Sequence, residues 1–367
     1  MSGQLIGALI LWLIVAIIVI AIVVYLVNWL YRRSSKEAAF VRTGLAGEKV
    51  VIDAGAFVLP FIHDITPVNM NVLQMRVHRG QGDAIITRDR MRVYEVEAST
   101  LALAAAERAL ECARVAPDLV THLVTVSCSG FYAPGFDIAL IKQLPLAANV
   151  PRTQVGFMGC HGALNGLRVA QAFVAADPSA CALICAVELC SLHHQYGWNA
   201  EQIVANSLFA DGAGAIVALW GNGPSDSLPQ IVAAGSTLIA ESEDAMSWRI
   251  GDHGFQMTLS ARLPELIARN LCSWLNDWLG AHGLTVATVG SWAVHPGGPR
   301  ILAAVGESLG IDRWALDLSH GVLAEFGNMS SPTVLFILER LRQTKAPRPW
   351  VALGFGPGLA VEAVLLA

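Results

Sequence analysis

The spacing of hydrophobic and polar residues changes twice along this chain and divides it into three parts. The first part is one continuous apolar run. Residues Leu5 to Leu30 contain no charged side chain. At about 1.5 Å per residue, a helix of that length crosses a bilayer, so the run predicts a transmembrane helix. Arg32, Arg33 and Lys36 follow the run, and no basic residue precedes it. We therefore expect a single-pass membrane anchor over residues 1–35, with the N-terminus outside and the rest of the chain in the cytoplasm.

The second part, residues 36–90, consists of short apolar runs that are separated by Gly, Pro and Asn. This pattern is typical of strands and turns. The predicted strands are Lys49–Asp53, Phe57–Pro60, Ile65–Val68, Val72–Val77 and Ala84–Thr87. A β-rich segment of this size is too small to hold a hydrophobic core alone.

From Met91 onward, apolar residues recur either three to four apart or in short continuous runs. The first pattern predicts helices and the second predicts buried strands, so their alternation indicates an α/β fold. Helices are predicted at 94–113, 163–176, 263–279 and 333–341, and strands at 121–127, 230–238, 290–294 and 350–353.

Composition narrows the class of protein. The chain has 367 residues, of which 54% are hydrophobic and 14% are charged, so it is long enough for two or three domains with large cores. The net charge of −5 argues against a nucleic-acid partner. Seven cysteines form no C-x-x-C pair, which excludes a zinc ribbon and a thioredoxin motif and is typical of reduced thiols in the cytoplasm.

Three short motifs carry candidate chemistry. Cys160, in Gly-Phe-Met-Gly-Cys-His-Gly, is predicted at a strand-to-helix turn, where the helix N-terminus favours a thiolate. A buried structural cysteine is the alternative. His295 ends an apolar strand before Pro-Gly-Gly-Pro, and Asn328 precedes a helix, where it could instead be a cap. Together, a thiol, an imidazole and an amide can hold an acyl chain and stabilise an enolate without a metal or organic cofactor.

These motifs, with Gly354-Phe-Gly-Pro-Gly358, resemble those of the type III polyketide synthases, the chalcone and stilbene synthase-like family, over residues 91–367. The resemblance implies a thiolase-like fold of two similar α/β/α halves, here 91–225 and 226–367. The first half lacks a counterpart of the opening strand at 230–238. The resemblance also implies a homodimer, although Ala133 stands where the family has a methionine that reaches across it.

The resemblance implies that Cys160 carries the acyl chain while His295 and Asn328 promote decarboxylation of malonyl-CoA. Acyl-CoA and malonyl-CoA are the implied substrates. The resemblance places Met257 at the family's second gatekeeper position, where the family has phenylalanine. A flexible thioether there favours a long fatty acyl starter and alkylpyrone or alkylresorcinol products. The implied substrate-binding residues, with Phe209 as gatekeeper, are Phe209, Cys190, His193, Met257, Gly297, Gly354, Phe355 and Gly356. Cys190, His193 and His194 lack a fourth ligand at a sensible spacing, so no metal site is predicted.

Residues 36–90 resemble the beginning of bacterial flotillin-like proteins, through Glu37–Gly44, Val50–Phe57 and His63–Asn71. Two hypotheses follow. One is a membrane-tethered polyketide synthase, and the other is a flotillin-like scaffold protein with an inactive ketosynthase passenger. The segment Thr87–Val93 is compatible with both families, so the join is either a gene fusion or an artefact of sequence assembly.

Overall fold

The computed structural model describes residues 85–195, 200–221 and 228–367, together with short stretches and single positions between residues 12 and 69. The chain divides into two compact units, Met1–Gln74 and Met75–Ala367. The division falls inside the segment 36–90, before its predicted end at residue 90.

The described residues of the N-terminal unit form five short strands. Strand β2 pairs antiparallel with β3 and with β5, and β1 pairs antiparallel with β4. The strands are β1 (Tyr31–Arg33), β2 (Ala38–Gly44), β3 (Lys49–Val51), β4 (Gly55–Phe57) and β5 (His63–Asn69). The predicted strands Lys49–Asp53, Phe57–Pro60 and Ile65–Val68 each overlap an observed strand. The predicted strand Ala84–Thr87 is wrong, because a helix begins at Thr87. The predicted strand Val72–Val77 lies outside the described residues.

The predicted membrane anchor is not supported. Most of residues 5–30 lie outside the described part of the chain. Among the residues that are described, no helix combines the length and the apolar character that crossing a bilayer requires. The predicted single-pass membrane location is wrong on this finding.

The first half of the larger unit contains a four-stranded sheet in the order β7-β6-β8-β9. Strand β6 is parallel to β7 and β8, and β9 is antiparallel to β8. The elements are α1 (Thr87–Ala113), β6 (His122–Ser127), α2 (Phe136–Gln143), β7 (Arg152–Gly156), α3 (Gly162–Ala176), β8 (Cys181–Leu189), α4 (Ala200–Leu208) and β9 (Asp211–Leu219).

The second half contains a four-stranded sheet in the order β10-β15-β14-β13 and a separate hairpin, β11-β12. The elements are β10 (Ile231–Leu238), β11 (Met246–Gly251), β12 (Gly254–Leu259), α5 (Leu263–Ala281), β13 (Ser291–Val294), α6 (Pro299–Leu309), α7 (Asp317–Phe326), α8 (Thr333–Gln343), β14 (Trp350–Gly356) and β15 (Ala360–Leu366).

The two halves share a three-strand unit. Strands β6, β8 and β9 repeat the directions of β13, β14 and β15: two parallel strands and then an antiparallel last strand. In the second half, β10 pairs with the outer edge of the last strand. Within the part of the chain that the structure describes, no strand pairs with the corresponding edge of β9. Among the described residues, the two halves therefore differ at this edge of the sheet.

Three hydrophobic cores alternate with the two sheets. The middle core contains buried residues of α3 and α8 and of strands from both halves. The outer cores are formed by α1 and α2 against the first sheet and by α5 and α6 against the second. The result is the layered α/β arrangement of a thiolase-like fold, in which α3 and α8 lie between the sheets.

Helix α1 begins at Thr87, seven residues before the predicted start. The polar residues of its first turns interrupt the apolar spacing, and only Arg88 and Arg92 among them are exposed. Arg90 is buried, and its guanidinium donates to the carbonyl oxygens of Leu192 and His194. Thr87 donates to the carbonyl of Gly251, so tertiary contacts fix this helix start.

Candidate active site

Cys160 lies in the single helical turn Gly159–His161, between β7 and the start of α3. The turn requires glycine at 159, where φ is +70° and a Cβ would lie 2.4 Å from the Cδ of Pro357. This local geometry places the Cys160 thiol at the junction of strand and helix, as the sequence predicts. The side chain is only 7% exposed.

The environment of the thiol differs from the expectation of a stabilised thiolate. Burial raises the pKa of Cys160 to about 11, and the nearby side chains of Ser330 and Asn328 offset only part of that increase. Burial outweighs the partial charge of the helix N-terminus because the charged form loses its hydration. At neutral pH Cys160 is therefore a thiol in the unliganded protein.

His295 follows β13, and its backbone N–H donates to the carbonyl of Leu353 at 2.7 Å. The parallel pairing of β13 with β14 thus fixes the position of the residue. Burial first, and then the positive charge of His161, lower the pKa of His295 to about 3. Neither ring nitrogen has a hydrogen-bond partner among the described residues, although the side chain is buried.

Asn328 lies between α7 and α8, and its backbone joins the two halves. Its N–H donates to the carbonyl of Leu208 at 2.8 Å, and the residue forms a β-bridge with Phe209. The side-chain Oδ1 accepts from the backbone N–H of Ser330 at 2.8 Å, which fixes the direction of the amide. The buried Nδ2 has no partner within the described part of the chain.

These three residues present complementary chemical groups. The thiol of Cys160 is a potential nucleophile, and the Asn328 side chain is close enough to lower its pKa. The buried side-chain N–H groups of Asn328 and His295 lack acceptors in the described ranges, and unmet buried donors are costly unless a ligand satisfies them. An oxygen that develops negative charge beside the thiol is the kind of acceptor that such donors stabilise.

Two residues with implied gatekeeper roles are half-buried. Phe209 lies beside Asn328 through their bridge. Met257 lies in β12, opposite Trp248 of β11. Its exposure leaves the thioether free to change rotamer.

His193 is held on all sides. Its Nδ1 accepts from the backbone N–H of Phe255 at 2.9 Å, and Nε2 donates to the carbonyl of Ser129 at 2.5 Å. The ring stacks on Phe255 at 4.1 Å and meets Trp248 edge-on. Burial lowers its pKa to about 4. Both nitrogens are used in packing the hairpin, so His193 has no free atom for a ligand.

The other implied binding residues occupy different environments. Cys190 is buried, and burial followed by the charge of Glu188 raises its pKa well above the usual range. Phe355 packs in the outer core of the second half. Gly354 and Gly356 lie against His161 instead. Gly297 donates to the carbonyl of His295 at 3.1 Å and so belongs to the turn that follows it.

A buried carboxylate beside the thiol was missed from the sequence. Glu188 accepts from the backbone N–H groups of Cys128 and Ser129 at 3.0 and 2.9 Å and from the Ser331 hydroxyl at 2.6 Å. Burial raises its pKa, and these bonds oppose the increase. Cys128 in turn contacts Ser330 at 3.6 Å, which links the carboxylate to Cys160. The only signal in the sequence is one acidic residue in the apolar strand β8.

No group of three or more His, Cys, Asp or Glu side chains is placed to hold a metal ion in the described ranges.

Comparison with known proteins identifies the family to which the chain belongs. The family model for the N-terminal domain of chalcone and stilbene synthases matches residues 73–224, and the model for the C-terminal domain matches residues 230–367. The chain therefore belongs to the chalcone and stilbene synthase family. The N-terminal model begins at residue 73, whereas the sequence predicts that the resemblance starts at residue 91. The domain boundary at residue 91 stays a prediction.

Individual relatives narrow the class. The chain is 38% identical over 276 residues to 1,3,6,8-tetrahydroxynaphthalene synthase of Streptomyces peucetius. The aligned region covers 73% of each of the two proteins. It is 35% identical to the alpha-pyrone synthesis polyketide synthase-like Pks18 of Mycobacterium tuberculosis, over 76% of this chain and 72% of Pks18. PKS-I of the brown alga Ectocarpus siliculosus shares the fold with a TM-score of 0.74 and 33% identity, over 79% of this chain and 82% of PKS-I. The chain is thus an enzyme of the polyketide synthase class.

Proposed function

We propose that the chain condenses malonyl-CoA with an acyl starter that is bound to Cys160, as a type III polyketide synthase. The observation that carries this proposal is the pairing of a buried thiol with two buried donors, on His295 and Asn328, that have no partner among the described residues. In the proposed reaction no metal or organic cofactor takes part, because the protein groups and the coenzyme A thioesters supply all the chemistry.

The proposed reaction begins with acyl transfer. The Cys160 thiol loses its proton, attacks the carbonyl carbon of an acyl-CoA and releases the coenzyme A thiol, which takes up a proton. Malonyl-CoA then loses carbon dioxide. The electron pair of the broken C–C bond forms an enolate, and N–H donors on His295 and Asn328 stabilise its oxygen. The enolate carbon attacks the thioester on Cys160, and the thiolate leaves.

The proposed starter is a long fatty acyl-CoA, which leads to alkylpyrone or alkylresorcinol products. Two observations support this class. Met257 is half-buried and flexible, and the relative Pks18 is described as a polyketide synthase for alpha-pyrone synthesis. We also propose a homodimer. Phe131 and Phe157 are exposed rings only 6.1 Å apart, and they are candidates for the subunit contact.

The test uses the purified full chain with malonyl-CoA and acetyl-, hexanoyl- or palmitoyl-CoA. Carbon dioxide release and product mass are measured for the wild type, for Cys160→Ala and for Cys272→Ala. Cys272 is a matched control because it is a partly exposed thiol on α5. We expect products from the wild type and Cys272→Ala only. Equal carbon dioxide release from Cys160→Ala would reject the proposal and favour a scaffold protein with an inactive passenger.

A further inference from the structure

Glu188 is a buried carboxylate that no step of the proposed reaction uses. Its side chain is 0% exposed. The residue lies near the carboxyl end of β8, two positions after Ala186, which pairs with Val126 of the parallel strand β6. The carboxyl ends of neighbouring parallel strands meet at one edge of a sheet. This register therefore places the carboxylate beside the residues that follow β6.

The first half supplies most of the donors to this carboxylate. The backbone N–H groups of Cys128 and Ser129 donate to Oε2 at 3.0 and 2.9 Å, and the Ser129 hydroxyl donates to the same oxygen at 2.6 Å. That hydroxyl also accepts from the backbone N–H of Leu189 at 2.8 Å. A buried polar group whose hydrogen bonds are satisfied by fixed backbone groups keeps one orientation, so the position of Oε1 is fixed as well.

The second oxygen of the carboxylate reaches the loop that carries Asn328. The hydroxyl of Ser331, a residue that is fully buried, donates to Oε1 at 2.6 Å. The backbone N–H of the preceding residue, Ser330, donates to Oδ1 of Asn328 at 2.8 Å. Two short hydrogen bonds on consecutive residues therefore lead from Glu188 to the Asn328 amide.

The backbone of this loop is strained and needs contacts at both ends. Ser330 has a φ of +58°, in the left-handed region that residues other than glycine rarely adopt. Such a conformation persists only where the surroundings determine it. One end of the loop is fixed at Asn328, whose N–H donates to Leu208 at 2.8 Å and whose carbonyl accepts from Ala210 at 2.9 Å. The hydroxyl of Ser331 fixes the other end, which leads into α8.

We propose that Glu188 is a positioning residue that fixes the direction of the Asn328 amide through Ser331. The inference rests on the proposed function for the role of Asn328 as a donor to the enolate oxygen. While the loop holds its shape, Ser330 occupies Oδ1 of Asn328, so the amide does not rotate and Nδ2 keeps one direction. A donor that is already aimed at the developing charge costs no reorganisation during the reaction.

A positioning role makes a specific demand on the charge of Glu188. Glutamine has the same shape: its amide oxygen can accept from the two backbone N–H groups, and its amide nitrogen can donate to the Ser331 hydroxyl. The connection to Asn328 thus survives Glu188→Gln, whereas an effect of the negative charge does not. Ser331→Ala breaks the connection and leaves the carboxylate in place.

The first measurement is hydrogen–deuterium exchange of the peptide that contains Ser330, by mass spectrometry. It needs no substrate, so failure of the polyketide assay does not affect it. We expect exchange to be roughly fivefold faster or more in Ser331→Ala, because the loop loses a buried hydrogen bond, and unchanged in Glu188→Gln. Ser236→Ala is the matched control, since it removes a serine hydroxyl that donates to Glu362 at 2.7 Å at the edge between β10 and β15. Exchange at Ser330 should not change in this control.

The second measurement is carbon dioxide release from malonyl-CoA in a double-mutant cycle. Ser331→Ala should lower kcat about tenfold to a hundredfold and change KM less than about threefold, because a misdirected donor weakens the transition state and not substrate binding. In the Asn328→Ala background the same substitution should change kcat less than about twofold, since the amide is already absent. Loss of packing alone would lower kcat by the same factor in both backgrounds.

Three results would overturn the proposal: wild-type exchange in Ser331→Ala, an equal loss of kcat in both backgrounds, or a loss of kcat in Glu188→Gln as large as that in Ser331→Ala. The last result would assign the effect to charge. Faster exchange in Ser331→Ala but not in Glu188→Gln, in a protein whose wild type releases no carbon dioxide, would support the positioning of the amide and reject the proposed function.

Discussion

The imidazole of His161 occupies the volume that a side chain at residue 356 would need: a Cβ on Gly356 would lie 2.4 Å from its Cδ2 and Nε2. The sequence motif alone favours a different role for this glycine, in which backbone N–H groups approach a ligand. The structure instead relates the glycine to the residue next to the nucleophile. Two motifs almost 200 positions apart are thus parts of one packing arrangement.

Gly356→Ala is expected to lower stability. The new methyl group would meet the His161 ring and, at 2.7 Å, the backbone oxygen of Met158, which cannot move without shifting the turn at Cys160. We expect a loss of about 1–3 kcal/mol of unfolding free energy. Urea unfolding of Gly356→Ala and Gly280→Ala measures this loss. Gly280 has no heavy atom within 4 Å of its Cβ position, so an equal loss in both variants would contradict the argument.

Asn328→Ala is expected to lose decarboxylation more than binding. Its Nδ2 is a buried donor without a partner among the described residues, and we propose that it stabilises the enolate oxygen. Removing one such donor reduces kcat by roughly a hundredfold to a thousandfold. Carbon dioxide release from malonyl-CoA is the measurement, with Asn270→Ala on the exposed face of α5 as the control. A kcat within a factor of about three of the wild type would contradict the assigned role.

Acid is expected to destabilise the fold through its buried histidines. The folded chain lowers the pKa of His193 to about 4 and of His295 to about 3. The unfolded chain takes up these protons near pH 6.5, so the stability gained above that pH is lost as pH falls through 6.5 toward 4. Each such group contributes a slope of about 1.4 kcal/mol per pH unit in that range.

Urea unfolding of the wild type and His193→Phe at pH 7.5, 6.0 and 5.0 measures this slope. Phenylalanine keeps the stack on Phe255 but cannot titrate. The slope of unfolding free energy against pH should therefore fall by the contribution of one titrating group, even if the variant is less stable at every pH. His282→Gln, at an exposed position, is the control. Equal slopes in wild type and His193→Phe would show that this ring does not titrate between the two states.

Met257→Phe is expected to discriminate against long starters. A rigid aromatic ring would replace the flexible thioether at the proposed gatekeeper position. We expect kcat/KM for palmitoyl-CoA to fall about tenfold, while the value for acetyl-CoA changes less than about twofold. Competition between the two starters, followed by product mass, measures the ratio. Equal losses for both starters would indicate a general defect and contradict a gatekeeper role.

The sequence allowed prediction of most of the fold beyond residue 90. Helices α3, α5 and α8 begin within one residue of their predicted starts, because their apolar spacing and flanking Gly or Pro are strong local signals. The early start of α1 could not be predicted, since Arg90 is fixed by carbonyl groups a hundred residues away. The single-pass membrane location was wrong, although the run at residues 5–30 is strongly apolar.

The candidate site was predicted only in part. The motifs around Cys160, His295 and Asn328 are specific enough that the amino-acid sequence alone indicates the family. The hydrogen bonds to Glu188 come from two separate segments, residues 127–129 and Ser331, and no spacing in the sequence reveals their convergence. The raised pKa of Cys160 also could not be predicted, because burial depends on packing and not on the helix terminus alone.

The β-bridge between Phe209 and Asn328 ties the Asn328 amide to the first half, which also carries Cys160. Asn328 belongs to the second half by sequence, but its backbone is hydrogen-bonded on both sides of Phe209, at Leu208 and Ala210 of the first half. If the halves rotate slightly as substrate enters, the amide will travel with the half that carries Cys160. His295, which follows β13, would then be the one member of the trio whose distance to the nucleophile such a rotation changes.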